Sequence, residues 1–351
     1  MLQKVFHKND LFQAAEEMQF GDIHIKTDPS TGLRAIIAIH NTNLGPALGG
    51  CRCVRYDSTE AAIYDAMRLA QGMSYKAALA DVPQGGGKSV LMKPDHIENR
   101  EAYLESFGEF VETLGGRYIT AVDSGTNVSD MDIIARKTSH VVSTSAQSGG
   151  KGDPSPFTAL GVLRGIQAAV AHKLKKDSLA GVHVAIQGAG NVARYLCEHL
   201  VKLDAKLTIC DSKPDTAAQF ANDFGASVVD KESIFDVECD VFAPCARGGV
   251  LSESTVKRLK AVIVAGAANN QLAQADVAEL LFNKNILYAP DYVINAGGLI
   301  HVSLESMDVI RQKVDGIYDA LIKIFQRSDD QHLSSSIVAD SLAREIIARA
   351  V

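Results

Sequence analysis

Residues 182–187 form a short apolar run, and Gly188-Ala-Gly-Asn-Val-Ala193 follows it without a gap. A helical stretch continues to Leu203, and a second apolar run, residues 206–210, ends on Asp211. A strand that turns at once into a helix and returns as a second strand leaves few architectures open. It is the βαβ unit of a doubly wound parallel sheet. Gly188 permits the tight turn, and Gly190 lets a pyrophosphate reach the amides at the helix N-terminus. The third fingerprint position is Ala193 in place of glycine. Asp211 lies 21 residues after Gly190, where a carboxylate can bond both ribose hydroxyls and repel a 2′-phosphate. Gly188, Ala189, Gly190, Asn191, Val192 and Asp211 are therefore candidate cofactor residues, and NAD is favoured over NADP.

The sheet should continue through strands at 240–243, 262–265 and 286–289. Their C-terminal ends carry Pro244-Cys-Ala246, Gly266-Ala-Ala-Asn-Asn270 and Pro290-Asp-Tyr-Val-Ile-Asn295. Ligands of such sheets bind beyond those ends, which adds Cys245, Ala246, Asn269, Asn270 and Asn295 as candidates on the nicotinamide side. Each asparagine taken singly fits a turn equally well.

The first third of the chain mixes strand and helix signals. A buried strand is expected at 32–40, a turn-rich loop at 43–50, and an amphipathic helix at 58–71 capped by Ser58 or Thr59. Further on come a strand at 88–92, a helix at 100–114, a strand at 117–121 and a helix at 129–137. Between them runs Met73-Ser-Tyr-Lys-Ala-Ala-Leu-Ala-Asp-Val-Pro-Gln-Gly-Gly-Gly-Lys88, with two lysines among small and apolar residues. Three glycines in a row let backbone pass close to a ligand or another segment. An ammonium in apolar surroundings near a second one loses its proton readily and becomes usable in acid–base chemistry. The segment also fits a glycine turn between strands with two exposed lysines. Residues 145–156, rich in glycine, serine and proline, read as a linker or hinge, and a helix follows at 158–174. Helices at 308–326 and 336–350 close the chain.

At 351 residues the chain has room for two domains. Hydrophobic residues make up 46% and charged residues 22%, enough apolar material for a substantial core. A net charge of −7 without a basic cluster argues against nucleic acid or a membrane surface as partner. No apolar run approaches the ~18 residues that span a bilayer, and the N-terminal residues lack the apolar core of a signal peptide. The six cysteines are scattered without a disulfide or zinc spacing, so a reducing, cytoplasmic setting and no metal are expected.

Taken together, the motifs resemble the glutamate/leucine/phenylalanine/valine dehydrogenase superfamily, and most of all its leucine and phenylalanine members. The resemblance runs through Leu44-Gly-Pro-Ala-Leu-Gly-Gly50, Tyr75-Lys76 with Gly85-Gly-Gly-Lys88 following, and Tyr118-Ile-Thr-Ala-Val-Asp123. It continues through Pro154-Ser-Pro-Phe-Thr-Ala159, Gln187-Gly-Ala-Gly-Asn-Val-Ala193, Phe242-Ala-Pro-Cys-Ala246 and Ala289-Pro-Asp-Tyr-Val-Ile-Asn-Ala-Gly-Gly298. It implies an N-terminal α/β domain for substrate and dimerisation (1–144 and 323–351), a Rossmann-type NAD domain (145–322), and a cleft between them. The resemblance further implies Lys88 as the catalytic base and Asp123 as the group that exchanges protons with the substrate amine. Lys76 would hold the substrate carboxylate, with Gly49 and Gly50 lining the site. Thr158, Asn269 and Asn270 would orient the nicotinamide carboxamide, with Asn295 nearby.

The implied reaction converts an L-amino acid, NAD⁺ and water reversibly into a 2-oxo acid, ammonia and NADH. Leu48, Ala121, Leu299 and Val302 would wall the side-chain pocket. Ala121 matches the leucine enzymes and Leu299 the phenylalanine enzymes, so an aliphatic substrate is expected with an aromatic one as the alternative. Val122 stands where leucine enzymes carry glutamate, and His301 stands where asparagine or glutamine is common. A homo-oligomer, dimer or octamer, is expected.

Overall fold

The computed structural model describes residues 11–246 and 248–350. Residues 1–10, read above as lacking a signal-peptide core, together with Arg247 and Val351, lie outside the described part. The chain divides into two units, with boundaries between Asp153 and Pro154 and between Leu342 and Ala343. Residues 145–153 thus stay with the first unit, and 323–342 with the second.

The first unit begins with α1 (Leu11–Glu17), β1 (Asp22–Asp28), β2 (Leu33–Asn41), β3 (Ala47–Val54) and α2 (Thr59–Leu79). It continues with β4 (Gly85–Met92), α3 (Arg100–Glu112), β5 (Tyr118–Val122) and α4 (Val128–Ile134). The sheet order is β1-β2-β4-β3-β5, with β1 and β2 antiparallel to their neighbours and β4, β3 and β5 mutually parallel. One face packs on α3 and α4 through Tyr103, Phe107, Tyr118, Met131 and Ile134. The other receives α2, whose Ala62, Ala66 and Ala70 recur every fourth residue and lie on Ile36, Ala38 and Val90. Such small side chains let the helix backbone approach the sheet.

Two expectations are corrected here. Ala47 to Gly50 belong to β3 and are not loop, and the glycines Gly85–Gly87 lie inside β4 and form no turn before it. The physical reason is spacing between strands. A Cβ on Gly49 would sit 1.7 Å from the Gly87 carbonyl oxygen, and one on Gly87 would sit 2.7 Å from the Tyr118 ring. These glycines are strand residues because a side chain has nowhere to go. α2 also runs past the expected end at 71 and carries Lys76 in its last turn; the Ser58 hydroxyl caps it, accepting from the Ala61 amide at 3.1 Å.

The second unit holds α5 (Ser155–Leu174), β6 (His183–Gln187), α6 (Asn191–Val201), β7 (Lys206–Cys210), α7 (Pro214–Phe224), β8 (Ser227–Val228), β9 (Val241–Pro244) and α8 (Glu253–Arg258). Then come β10 (Ile263–Val264), α9 (Val277–Asn283), β11 (Leu287–Tyr288), α10 (Asp291–Ile294), α11 (Gly297–Ser303), α12 (Met307–Asp315), α13 (Ile317–Gln331) and α14 (Ser335–Arg349), the last crossing the unit boundary. Its six strands are all parallel in the order β11-β10-β9-β6-β7-β8. Counted from β6 this is the doubly wound dinucleotide order, with the reversal between β6 and β9. The single helix expected at 308–326 is two, α12 and α13, parted at Gly316. Among the described residues no helix is long and apolar enough to cross a membrane.

Candidate active site

Side chains alternate across a strand, so Leu48, Gly50 and Arg52 of β3 share one sheet face. On β4 the alternation puts Lys88 with Val90 on the face that α2 covers. At β5 it aligns Ala121 with Asp123, the residue immediately after the strand. Gly50 pairs with Ala121 across β3 and β5. A Cβ on Gly50 would fall 2.7 Å from the Asp123 Cβ and 2.9 Å from its Oδ2. The missing side chain is therefore the space the Asp123 carboxylate occupies.

That carboxylate is fully engaged. Its Oδ2 accepts from the Lys88 Nζ. Its Oδ1 accepts from the Ser124 amide at 2.6 Å and from Arg52 Nε at 3.1 Å. The Asp123 amide in turn donates to Thr126 Oγ1 at 3.0 Å, which fixes the turn that presents the side chain. Lys88 is only 4% exposed, so the pair sits where charge is costly. Burial drives the Lys88 pKa below its ordinary value, Asp123 resists, and the nearby Arg52 charge adds to the fall. Burial works to raise the Asp123 pKa, but Lys88 and Arg52 overcome it and hold it at about 2. The result is a lysine prone to give up its proton beside a carboxylate that stays ionised.

Below the pair, the Tyr118 hydroxyl donates to the Gly49 carbonyl at 2.8 Å and lies 3.0 Å from Ser89 Oγ. Leu48 is buried, and Ala121 and Lys76 are half-buried. The sequence reading singled out Lys88, Asp123, Leu48, Gly50 and Ala121, and the fold collects them on one face of one sheet. It missed Arg52 and Asp65. Arg52 Nη1 donates to Asp65 Oδ2 at 2.8 Å, and Asp65 also accepts from Tyr56 Oη at 2.7 Å and Arg68 Nη2 at 3.1 Å. Nothing in the spacing of Arg52, Asp65 and Asp123 announces their meeting. Val122 faces the opposite way, packed against the core beneath the sheet.

In the second unit Gly188 takes φ +102°, and a Cβ there would meet Ala246 Cβ at 2.7 Å. A side chain would be both strained and obstructed. Gly190 caps α6 with no side-chain bond to the first-turn amides, and space is open around it. Amides left uncapped next to open space fit a pyrophosphate. At the end of β7, Asp211 Oδ2 accepts from the Ala189 amide and Oδ1 from the Lys213 amide, both at 2.8 Å. Burial raises the Asp211 pKa, but those amides outweigh it and keep the carboxylate charged. The donor set thus suits a nicotinamide dinucleotide.

Beyond β9 and β10, Cys245 donates its amide to Gln187 O at 2.8 Å, and burial pushes its thiol up to about 11. Asn295, 3% exposed, donates through Nδ2 to Asn269 Oδ1 at 2.7 Å and to Ala267 O at 3.1 Å. Asn269 and Asn270 are exposed at the tip. The same loop is held from beneath by buried Gln271, which donates to Gly266 O and Ala268 O, and by Asp291, which accepts from the Gln271 amide. Gln271 and Asp291 were also missed. Thr158, in the first turn of α5, donates its hydroxyl to Pro154 O at 3.1 Å. On α11, Leu299 is buried, Val302 is half-buried, and His301 stacks on Phe157 with ring centroids 4.4 Å apart. His301 lies in the last turn of that helix.

A doubly wound sheet with an uncapped glycine turn and a terminal aspartate is the build of a dinucleotide-binding domain. Residues 16–140 match the family model described as the Glu/Leu/Phe/Val dehydrogenase dimerisation domain, and residues 149–215 and 211–328 match Glutamate/Leucine/Phenylalanine/Valine dehydrogenase. The chain belongs to this family and is an amino-acid dehydrogenase. It is 45% identical to leucine dehydrogenase of Geobacillus stearothermophilus over 96% of this chain and 93% of that protein. It is 43% identical to L-tryptophan dehydrogenase of Nostoc punctiforme over 96% of each chain. The crystal structure described as L-tryptophan dehydrogenase from Nostoc punctiforme superposes with a TM-score of 0.86, at 40% identity, over 97% of this chain and 99% of that one.

Proposed function

We propose that the protein catalyses NAD-dependent, reversible oxidative deamination of an aliphatic L-amino acid of the leucine, valine or isoleucine type. The observation that carries this is buried Lys88 paired with half-buried Asp123 on a sheet face whose neighbouring side chains, Leu48 and Ala121, are apolar. Lys76 takes the substrate carboxylate, with Gly49 and Gly50 lining the site. Asp123, kept ionised by Lys88 and Arg52, exchanges a proton with the substrate ammonium. Bound NAD⁺ supplies the hydride acceptor. Neutral Lys88 then removes a proton from the water that adds to the iminium carbon, and the carbinolamine collapses to 2-oxo acid and ammonia. Because burial lowers the Lys88 pKa, the neutral form appears at lower pH than for a free lysine, and activity should rise with pH through that value.

Cofactor contacts are assigned to Thr158, Gly188, Ala189, Gly190, Asn191, Val192, Asp211, Cys245, Ala246, Asn269, Asn270 and Asn295, and the distal pocket wall to Leu299 and Val302. We assign the substrate carboxylate site and assembly as a homo-oligomer, dimer or octamer, to the first unit, and the dinucleotide to the second. A cytoplasmic setting agrees with six free cysteines.

Initial rates of NAD⁺ reduction at alkaline pH with leucine, valine, isoleucine, phenylalanine, tryptophan and glutamate test the substrate. An aliphatic preference is expected. Similarity to L-tryptophan dehydrogenase nearly equal to that with leucine dehydrogenase favours a second reading, an aromatic substrate, and faster turnover of tryptophan or phenylalanine would establish it. For the cofactor, Asp211→Ala removes the charge at the end of β7. It should erode the preference for NAD over NADP by about tenfold or more, as expected for a lost charge-assisted bond. An unchanged ratio of kcat/KM for the two cofactors would remove Asp211 from the ribose site.

A further inference from the structure

A charged network stands behind the Lys88–Asp123 pair. Arg52 on β3 points one edge of its guanidinium at Asp123 Oδ1 (Nε, 3.1 Å) and another at Asp65 Oδ2 of α2 (Nη1, 2.8 Å). Its side chain is 20% exposed, and those of Asp65 and Asp123 are both 19% exposed. Asp65 is held by Tyr56 Oη at 2.7 Å and Arg68 Nη2 at 3.1 Å. A rigid planar cation that bridges two carboxylates fixes both in orientation, which a lysine cannot do.

We propose that Arg52, clamped by Asp65, is a positioning residue for catalysis, holding the Asp123 carboxylate with Oδ2 turned to Lys88 and offsetting its charge there. The proposal rests on the reading of Lys88 as the base. With Arg52 in place, Lys88 meets one carboxylate already shared with a second cation. Without it, two carboxylates would favour the ammonium form and the base would be unavailable until higher pH.

The other charged and titratable groups around Lys88 leave this logic intact. From β3 comes the Cys51 thiol, which burial pushes far up and keeps neutral. On β2, Ala38 stands opposite Lys88, and His40 is engaged with Ser74 Oγ at 2.8 Å. On α2, Asp65 acts with Arg52, and Lys76 lies in the last turn. Beneath, the Tyr118 hydroxyl is held neutral by burial.

The test is the pH dependence of kcat/KM for oxidative deamination, using the full-length enzyme, NAD⁺ and the amino acid turned over fastest in the panel above. Arg52→Gln should move the rising limb to higher pH by about one unit and lower kcat more than it raises KM. Asp65→Asn, nearly the same size, removes a carboxylate that favours protonated Lys88, so its limb should move the other way, to lower pH. Arg52→Lys keeps the charge without the bridge and should keep the limb while losing part of kcat. A structural role alone would lower activity without opposed shifts. Limbs that stay in place in both variants, or that move in the same direction, overturn the proposal. If Arg52→Gln does not fold, Asp65→Asn decides alone, by an acid shift or its absence. Lys88→Ala is the control: if it keeps activity and the wild-type limb, the reading of Lys88 as base fails. If it is inactive and the other limbs stay in place, only the role of Arg52 fails.

Discussion

Replacing Lys88 with alanine is expected to lower turnover by about 10³-fold while leaving NADH affinity within a factor of two or so, because general-base contributions of this size are ordinary. The site's design explains the size of the effect. Lys88 is 4% exposed, is bonded to Asp123, and is pushed toward its neutral form by burial. The glycine turn and Asp211 belong to the other unit. Fluorescence titration with NADH and steady-state rates measured on one preparation separate the two effects. Unchanged turnover would take Lys88 out of the mechanism. Lost turnover together with lost NADH binding would show damage beyond the base.

The second large effect is expected at a residue with no functional group. Gly50→Ala places a methyl 2.7 Å from Asp123 Cβ and 2.9 Å from both Asp123 Oδ2 and the Val122 carbonyl. No rotamer escapes such contacts, because Cβ is fixed by the backbone. Asp123 must swing away from Lys88, and kcat/KM should fall by about 10²-fold, the scale on which misplacing a reacting group by an ångström is felt. Circular dichroism and thermal unfolding check that the fold persists. Near wild-type rates in a folded Gly50→Ala protein would mean that the position of Asp123 is not what the chemistry depends on.

The dinucleotide half was legible because its signals are local. A strand, a turn that demands positive φ and a helix start follow each other in a few residues, and Gly188 at φ +102° is the conformation the fingerprint encodes. Lys88 was a candidate for a different reason: a lysine among glycines and aliphatics fits a buried ammonium or an exposed glycine turn, and the fold shows it buried. The first half of β3, 47–50, was misread as loop because glycine and proline ordinarily punctuate turns. Here Gly49 and Gly50 answer to Gly87 and Asp123 in neighbouring elements, and only tertiary structure reveals that. Arg52 and Asp65 were invisible on the same ground. Each looks like a surface charge in its own segment, and their bridge to Asp123 joins residues 71 and 13 positions from Arg52. β1, an edge strand with no buried residue, carries too weak a pattern to announce itself.

The placement of Ala121 has an evolutionary consequence. It lies two residues before Asp123 on the same strand face, opposite Gly50, yet it takes no part in the bonds that fix the carboxylate. The backbone around Gly49, Gly50 and Gly87 admits no drift, since every added carbon collides. Ala121 and Leu48 carry side chains on the same face without entering those bonds. If they wall the substrate pocket as proposed, a lineage built on this frame can explore new substrate side chains one mutation at a time with the Lys88–Asp123 pair left intact.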